Sequence, residues 1–159
     1  MNVLVRKIFP GDADAVVGLA AELSAFIGKQ TAAFSVDDFR RYGFGSGRLF
    51  DGVIAEVEGR PVGYALFRDM YDMDLASPGV HMMDLFVQDH MRRLGVGRAL
   101  LKALAQACAA IDGTWMTWQC LEQHHHALAF YQALGGRRFA CVDFEISGPA
   151  LRHLAAGSA

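Results

Sequence analysis

The run Arg92-Arg93-Leu94-Gly95-Val96-Gly97 combines residue types and spacing that suit anion capture. It follows an apolar, strand-like stretch, Val80 to Val87, and opens a long amphipathic segment. A strand, a glycine-bearing loop and a helix start together leave several backbone N–H groups unpaired, and the helix macrodipole favours an anion in front of them. Gly95 and Gly97 carry no Cβ, so a phosphate can approach the main chain closely. The chemistry expected here is the binding of a pyrophosphate. The spacing excludes two commoner phosphate loops. A P-loop needs G-x-x-x-x-G-K-[ST], yet Arg98 and Ala99 follow the second glycine; a dinucleotide fingerprint needs G-x-G-x-x-G, yet Leu100 stands at the third position. What remains is R-x-x-G-x-G after a strand. For these residues alone, the competing reading is an ordinary strand-to-helix turn with a basic flank.

Hydrophobic periodicity supplies the elements that would hold this loop. Val3 to Phe9 reads as a strand ended by Pro10-Gly11. Asp12 suits an N-cap for a helix carrying Ala15, Val16, Leu19, Ala20, Leu23 and Phe26 at helical spacing. Ser35 to Asp38 has the composition of a capping arrangement before a short helix, Val36 to Tyr42, and Gly43 to Gly47 reads as a loop. Phe50 to Val57 and Pro61 to Arg68 read as strands joined by the hairpin signal Glu58-Gly59-Arg60. Asp69 to Gly79 is polar and is expected to be a mobile loop. Val80 to Val87 is the strand before the phosphate loop. The helix after it carries the stripe Val96, Leu100, Ala103, Leu104 and Ala107, with Arg98, Lys102 and Gln106 on its wetter side. Trp115 to Cys120 and Phe139 to Ile146 read as strands, His125 to Leu134 and Pro149 to Leu154 as helices, and Ala155 to Ala159 as a frayed tail. The order β-α-α-β-β-β-α-β-α-β-α predicts an α/β fold with a mixed sheet.

Composition narrows the class. A chain of 159 residues suits one domain with a full core. Hydrophobic residues make up 53% of it, but no uninterrupted apolar run is long enough for a bilayer, so no membrane partner is expected. The N-terminus, Met1 to Lys7, lacks the apolar region of a signal peptide. A net charge of −2 provides no basic field for nucleic acid. Cys108, Cys120 and Cys141 are odd in number and widely spaced, with no C-x-x-C pair. They fit buried thiols in a reducing cytosol better than disulfides or a zinc site.

A second signature lies downstream, Ala127-Leu128-Ala129-Phe130-Tyr131-Gln132-Ala133-Leu134-Gly135-Gly136. The two patterns, in this order and separated by one helix and one strand, resemble the GNAT superfamily of N-acyltransferases. Its acyl-CoA loop reads Q/R-x-x-G-x-G/A, and its later helix reads A-x-x-F-Y-x-x-L-G-F/A. Asp37 to Gly45, Val53 to Glu56, Tyr71-Asp72, Asp84 to Val87 and Leu134-Gly135-Gly136 are further similar to the spermidine/spermine (diamine) N-acetyltransferases, a likeness that extends to about residue 140. The resemblance implies a GNAT-like mixed, mostly antiparallel sheet flanked by helices. It also implies a single acyl-CoA N-acyltransferase domain over residues 1–154, a cytoplasmic location and a homodimer.

The activity so implied is direct transfer from acetyl-CoA to an amine, with no metal. Leu85, Phe86 and Val87 would offer backbone groups to the pantetheine arm, as a sheet edge does to an added strand. The amides of Arg93, Leu94, Gly95, Val96, Gly97 and Arg98 would cradle the pyrophosphate. Arg98 would add charge, and Arg92 would either bind or shape the loop. Ala127 and Tyr131 would line the cofactor side of the later helix. Tyr131 matches the family's general acid, which gives a proton to the departing thiolate; its other reading is a core aromatic with a satisfied hydroxyl. The diamine branch carries Glu-Asp before its Phe-Phe-Val, but here the pair is Met83-Asp84. Met cannot take a proton. Asp84 is therefore the nearest candidate base, and the alternative is a structural hydrogen-bonder at a kink in the strand. Glu122 is the next candidate, and an amine arriving neutral would need no base. His124 stands where the family usually places Asn. It can contact the cofactor arm or accept a proton, since imidazole titrates near neutrality. Successive residues on a helix point about a hundred degrees apart, so His124, His125 and His126 cannot all converge on one metal ion.

The expected partner is a small-molecule primary amine: a diamine, a polyamine or a lysine-like amino acid. Asp69, Asp72 and Asp74 would form an acidic wall for such a cation, or simply a solvated loop. Ala25-Phe26-Ile27-Gly28 replaces acidic residues of the diamine branch and disfavours long polyamines. The competing functions are a non-catalytic acyl-CoA-binding module, prompted by Met83, and a protein N-acetyltransferase.

Overall fold

The computed structural model describes residues 1–29 and 34–157, in two compact units, residues 1–119 and 120–159. The first unit contains β1 (Val3–Lys7), a 3-10 turn (Pro10–Asp12), α1 (Ala13–Phe26), α2 (Val36–Gly43), β2 (Asp51–Val57), β3 (Arg60–Asp72), β4 (Ser77–Val87), a second 3-10 turn (Asp89–Met91), α3 (Val96–Ala110) and β5 (Trp115–Thr117). The five strands form one sheet in the order β1-β2-β3-β4-β5. Every neighbouring pair is antiparallel except β4 and β5, which are parallel and joined through α3. A parallel pair needs such a crossover, whereas the antiparallel pairs can use short turns. The fold is thus the mixed, mostly antiparallel sheet flanked by helices that the sequence predicts.

Both faces of the sheet are covered. Alternation along the strands sends Ile54, Tyr64, Leu66 and Phe86 to one face, where they pack with Ala13, Val16, Leu19 and Ala20 of α1 and Phe39 of α2. It sends Ala55, Ala65, Phe67, Val80 and Met82 to the other, and α3 packs against β1 to β5 with Val96, Leu100 and Leu104 buried. Local chemistry fixes the ends. Ser35 caps α2: its hydroxyl accepts from the Asp38 amide at 3.1 Å, and the Asp38 carboxylate accepts from the Ser35 amide at 3.2 Å. Glu58 and Gly59 both adopt positive φ in the two-residue turn between β2 and β3, as a type I′ hairpin requires.

Asp12 does a different job from the expected one. Its side chain does not cap α1 but accepts from the Phe9 amide at 2.9 Å and, through both oxygens, from the Arg6 guanidinium at 2.8 Å. Arg6 also donates to Glu56 of β2, so the three charges tie β1, the first turn and β2 together. Burial pushes the Asp12 carboxyl up, but the bonds from Arg6 and Phe9 prevail and hold it below the usual carboxylate range. Asp12→Ala is expected to cost about 2–4 kcal/mol, because it leaves a partly buried guanidinium short of a partner. A group with a depressed native pKa stabilises above its unfolded value of about 3.9 and loses that stabilisation as the pH falls through the native one. The gap in denaturant midpoint between wild type and Asp12→Ala should therefore narrow in acid. A gap that stays constant from neutral pH into that acidic range would contradict this account.

Three further expectations are corrected. Asp69 to Gly79 is not a mobile loop. β3 runs on to Asp72 and pairs with β4 from Ser77, with Asp69 opposite Val80 and Tyr71 opposite Pro78. The Trp115 ring lies where a Cβ on Gly79 would stand, its indole N–H donates to the Ser77 carbonyl at 3.0 Å, and the Asp72 carboxylate accepts from the Asp74 and Leu75 amides to close the turn. Three aspartates and the Pro78-Gly79 pair concealed a hairpin whose ends are fixed by these contacts. β5 ends at Thr117, not Cys120. Phe139 to Ile146 is not a strand: among the described residues its backbone joins no ladder, and Val142 and Phe144 are 78% and 94% exposed. Alternating apolar residues are a strand pattern, but a strand needs a hydrogen-bonded neighbour.

The second unit contains α4 (His125–Ala133) and α5 (Gly148–Ala155). α4 ends in a Schellman motif. Gly135, at φ 90°, lets its own amide reach the Gln132 carbonyl and the Gly136 amide reach that of Tyr131. Leu134-Gly135-Gly136 is therefore a helix stop. Of the tail expected to fray, Ser158 and Ala159 lie outside the described residues.

Candidate active site

The site in the first unit is built by an irregularity in β4. Leu66 of β3 pairs with Asp84, but the next residue, Phe67, pairs with Met82. Met83 is the extra residue of a β-bulge, and it is 48% exposed. A bulge bends its strand and re-aims the following side chain. Here it puts Asp84 on the face shared with Tyr64 and Phe86. Tyr64 is fully buried, and its hydroxyl donates to Asp84 Oδ2 at 3.1 Å. Burial raises the Asp84 carboxyl above the usual range; the Tyr64 hydrogen bond and the charge of Lys29, just past α1, pull it partly back. The result is a carboxylate that accepts a proton more readily than an exposed one.

β4 also loses a neighbour. Its pairing with β5 runs from Gly79 opposite Trp115 to His81 opposite Thr117 and stops there, while β4 continues to Val87. Leu85, Phe86 and Val87 consequently stand where, among the described residues, β4 has no strand on that edge. At the fork, His81 Nδ1 lies 3.1 Å from Thr117 Oγ1. Burial and the charge of Arg68 lower the His81 pKa, so its imidazole is neutral at pH 7.

The chain then turns through Asp89–Met91 into α3. Gly95 takes φ 89°, with nothing within 4 Å of where a Cβ would stand, so conformation and not space demands glycine there. Arg93 also has positive φ, at 61°. No side chain caps α3, and among the described residues the amides of Arg93, Leu94 and Gly95 donate to no backbone carbonyl. The first-turn amides of Val96, Gly97 and Arg98 have no partner within the helix. Val96, 1% exposed, anchors this turn in the core, while Arg93, Leu94 and Arg98 are exposed. Arg92 is held inward: its Nε donates to the Val87 carbonyl at 3.1 Å, Nη1 pairs with Asp89 at 2.9 Å, and the guanidinium lies 4.4 Å from the Phe26 ring centre. Its side chain staples the loop to the end of β4.

In the second unit, His124 is the residue before α4. Its amide donates to the Leu121 carbonyl, and its carbonyl accepts from Leu128. Ala127 and Tyr131 lie one turn apart on α4, with Phe130 and Tyr131 ring centres 5.4 Å apart. Burial, aided by the nearby Cys120 thiol, pushes the Tyr131 phenol up to about 12, so it stays protonated at neutral pH. Glu122 is exposed and pairs with Arg138 at 3.3 Å.

A family model described as the acetyltransferase (GNAT) family matches residues 23–136. The chain belongs to the GNAT acetyltransferase family. This GNAT chain is similar to a thialysine N-epsilon-acetyltransferase from Sus scrofa, 25% identical over 167 residues that take in 97% of this chain and 98% of the relative. It is also similar to the L-ornithine N5-acetyltransferase NATA1 from Arabidopsis thaliana, 27% identical over 118 residues, 74% of this chain and 49% of the relative. Among solved structures, an integron cassette protein from the mobile metagenome of V. cholerae superposes with a TM-score of 0.82 at 24% identity over 98% of each chain. The aminoglycoside N-acetyltransferase AAC(6')-Iy, solved in complex with CoA, superposes with a TM-score of 0.75 at 18% identity over 92% of this chain and 95% of that one. At these identities the structural likenesses speak for the GNAT fold.

Within the first unit, the structure joins Asp84 to Val87 and Arg92 to Arg98 in one continuous strand-loop-helix segment. Sequence reasoning missed Tyr64, Lys29 and His81. Tyr64 was hidden in an apolar strand, where a tyrosine reads as core. His81 offered a signal, a lone imidazole in the apolar run Val80 to Met82, but nothing in the sequence says that β5 stops beside it.

Proposed function

We propose that this GNAT enzyme transfers the acetyl group of acetyl-CoA to the primary amine of a small molecule, by direct attack in a ternary complex. The amine belongs to a diamine, a polyamine or a lysine-like amino acid. The observation that carries the reading is the uncapped start of α3 behind an αL glycine, one short turn after a β4 edge that has no strand partner among the described residues. Unpaired first-turn amides fit a diphosphate, and an open strand edge fits the amide-bearing arm of CoA. Two relatives named for the ε-amine of thialysine and the N5 amine of ornithine support the substrate class.

The amides of residues 93–98 would hold the diphosphate, with Arg98 adding charge, and Leu85 to Val87 would pair with the arm. Ala127 and His124 belong to the same reading as contacts of the cofactor. Acetyl-CoA supplies an acetyl group activated as a thioester. Asp84 accepts the proton that the amine must lose to attack. Tyr131 gives its phenolic proton to the sulfur as the C–S bond breaks. As the C–S bond breaks, the nitrogen, now carrying the acetyl group, gives up its second proton, which restores the Tyr131 phenol; CoA leaves as the thiol, and the proton on Asp84 returns to solvent. The reading includes a single catalytic domain, a homodimer by family resemblance and a cytoplasmic location that suits three unbridged cysteines. No helix among the described residues is long and apolar enough to cross a membrane.

The test pairs calorimetry with an amine panel. Acetyl-CoA is expected to bind, and thiol release is expected with lysine-like amino acids or short diamines in preference to spermine and to a peptide N-terminus. Tight binding with no release on any amine would make the chain a binding module. Release on the peptide alone would move it to protein acetylation.

A further inference from the structure

Met83 is the residue of this chain that stands where a proton-accepting Glu would be expected, so the proton must go elsewhere. We infer that Tyr64 is the positioning residue for Asp84: its buried hydroxyl orients the carboxylate at the β4 bulge and keeps it in the charged, proton-accepting form. The inference rests on the reading of Asp84 as the base.

Three observations carry it. First, the contact is built by the fold. Tyr64 and Leu66 are alternate residues of β3 on one face, Leu66 pairs with Asp84 across the bulge, and Tyr64 pairs with Phe86. The phenol therefore reaches Asp84 diagonally, and the 3.1 Å bond follows from register rather than from a mobile loop. Second, Tyr64 has no exposed surface, so its hydroxyl cannot exchange this acceptor for water. It is packed among Ile54, Leu66 and Phe86, which fixes the ring. Third, the hydroxyl is a donor at every working pH, because burial and the Asp84 charge push the phenol far above its ordinary value. A tyrosine with only a packing role would need no hydroxyl in an apolar cluster, where an unpaired one costs stability. Among the described residues, besides Tyr64 on β3, Lys29, past the end of α1, acts on Asp84, and its positive charge works in the same direction.

The sign follows. A hydrogen bond to the charged form of a carboxylate lowers its pKa. Removing it raises the Asp84 pKa, and the acid limb of kcat/KM, where activity appears as Asp84 deprotonates, moves to higher pH. A bond to a charged group corresponds to a shift of about one pH unit, or about tenfold in rate on the limb itself, with the alkaline plateau much less affected.

The experiment measures kcat/KM for the best amine against pH in wild type, Tyr64→Phe and Asp84→Asn. It also titrates the Asp84 carboxyl by 13C NMR in wild type and Tyr64→Phe. Expected are an upward move of both limb and titration in Tyr64→Phe, and loss of the limb with most of the activity in Asp84→Asn. A fluorinated tyrosine installed at position 64 alone keeps the ring and strengthens the donor. It should move the limb downward, and it serves if Tyr64→Phe fails to fold. An unmoved limb in both Tyr64 variants and an unmoved titration in Tyr64→Phe, with the limb lost in Asp84→Asn, would overturn the role of Tyr64 alone. A wild-type limb in Asp84→Asn would overturn Asp84 as the base, and the role of Tyr64 with it.

Discussion

Tyr131→Phe is expected to lower kcat by about 10²–10⁴-fold, the range spanned by loss of a positioned general acid. The substitution is narrow. Both side chains present the same ring to Phe130, whose centre lies 5.4 Å away, and α4 is stopped by its own Schellman turn regardless of what position 131 carries beyond the backbone. What disappears is the phenolic hydroxyl, and with it the proton it donates. In the wild type that proton is held firmly, since burial pushes the phenol up to about 12. A group so poised is useless as a base at neutral pH and suited to donating when a thiolate develops. Thiolate is a better leaving group than most, so an acid helps without being the whole of catalysis. Residual turnover is therefore expected, and it should rise when CoA is replaced by a carrier with a more acidic thiol. The dissociation constant of acetyl-CoA, read by calorimetry, should barely move if, as proposed, the diphosphate and the arm are held mainly by the backbone of residues 85–98. Unchanged kcat would return Tyr131 to the status of a packed aromatic.

The elements that hold the candidate site follow from periodicity, and most were legible. α3 announces itself by Val96, Leu100 and Leu104 at helical spacing, and all three are buried. The glycine loop was legible through two residues without a Cβ, read as room for a phosphate; that Gly95 takes positive φ was not read from the sequence. What escaped are features set by register between distant segments. The hairpin over residues 69–79 mixes three aspartates with exposed Met70, Tyr71, Met73 and Leu75, and the Trp115 ring and indole, more than thirty residues downstream, pack and bond against it. The bulge at Met83 depends on how β3 and β4 align, which no single strand encodes. The resemblance set Met83 against the Glu of the diamine branch. It did not show that the residue in its place is the extra member of a bulge, or that the bulge turns Asp84 toward a buried hydroxyl. Phe139 to Ile146 erred in the opposite direction: the alternation is real, and the pairing it advertises is not made among the described residues.

Gly97→Asp should weaken acetyl-CoA binding by about 10²–10³-fold, the cost of a like charge some 4 Å from a phosphate in a medium of intermediate dielectric. Gly97 is the better probe than Gly95. Gly95 needs positive φ, so any replacement there strains the loop itself. Gly97 is inside α3, in its first turn, where an aspartate is favoured by the macrodipole. The variant is therefore expected to melt at or above the wild-type temperature while losing the ligand, because one electrostatic field rewards the introduced carboxylate and an incoming diphosphate alike. That opposition separates binding from folding. Salt should narrow the deficit, since part of it is screened charge repulsion. Gly97→Ala adds a Cβ without charge, and its deficit reads the steric share: a small loss there beside a large one in Gly97→Asp would assign the effect to charge. Wild-type affinity in Gly97→Asp would mean that the diphosphate is bound somewhere other than the start of α3.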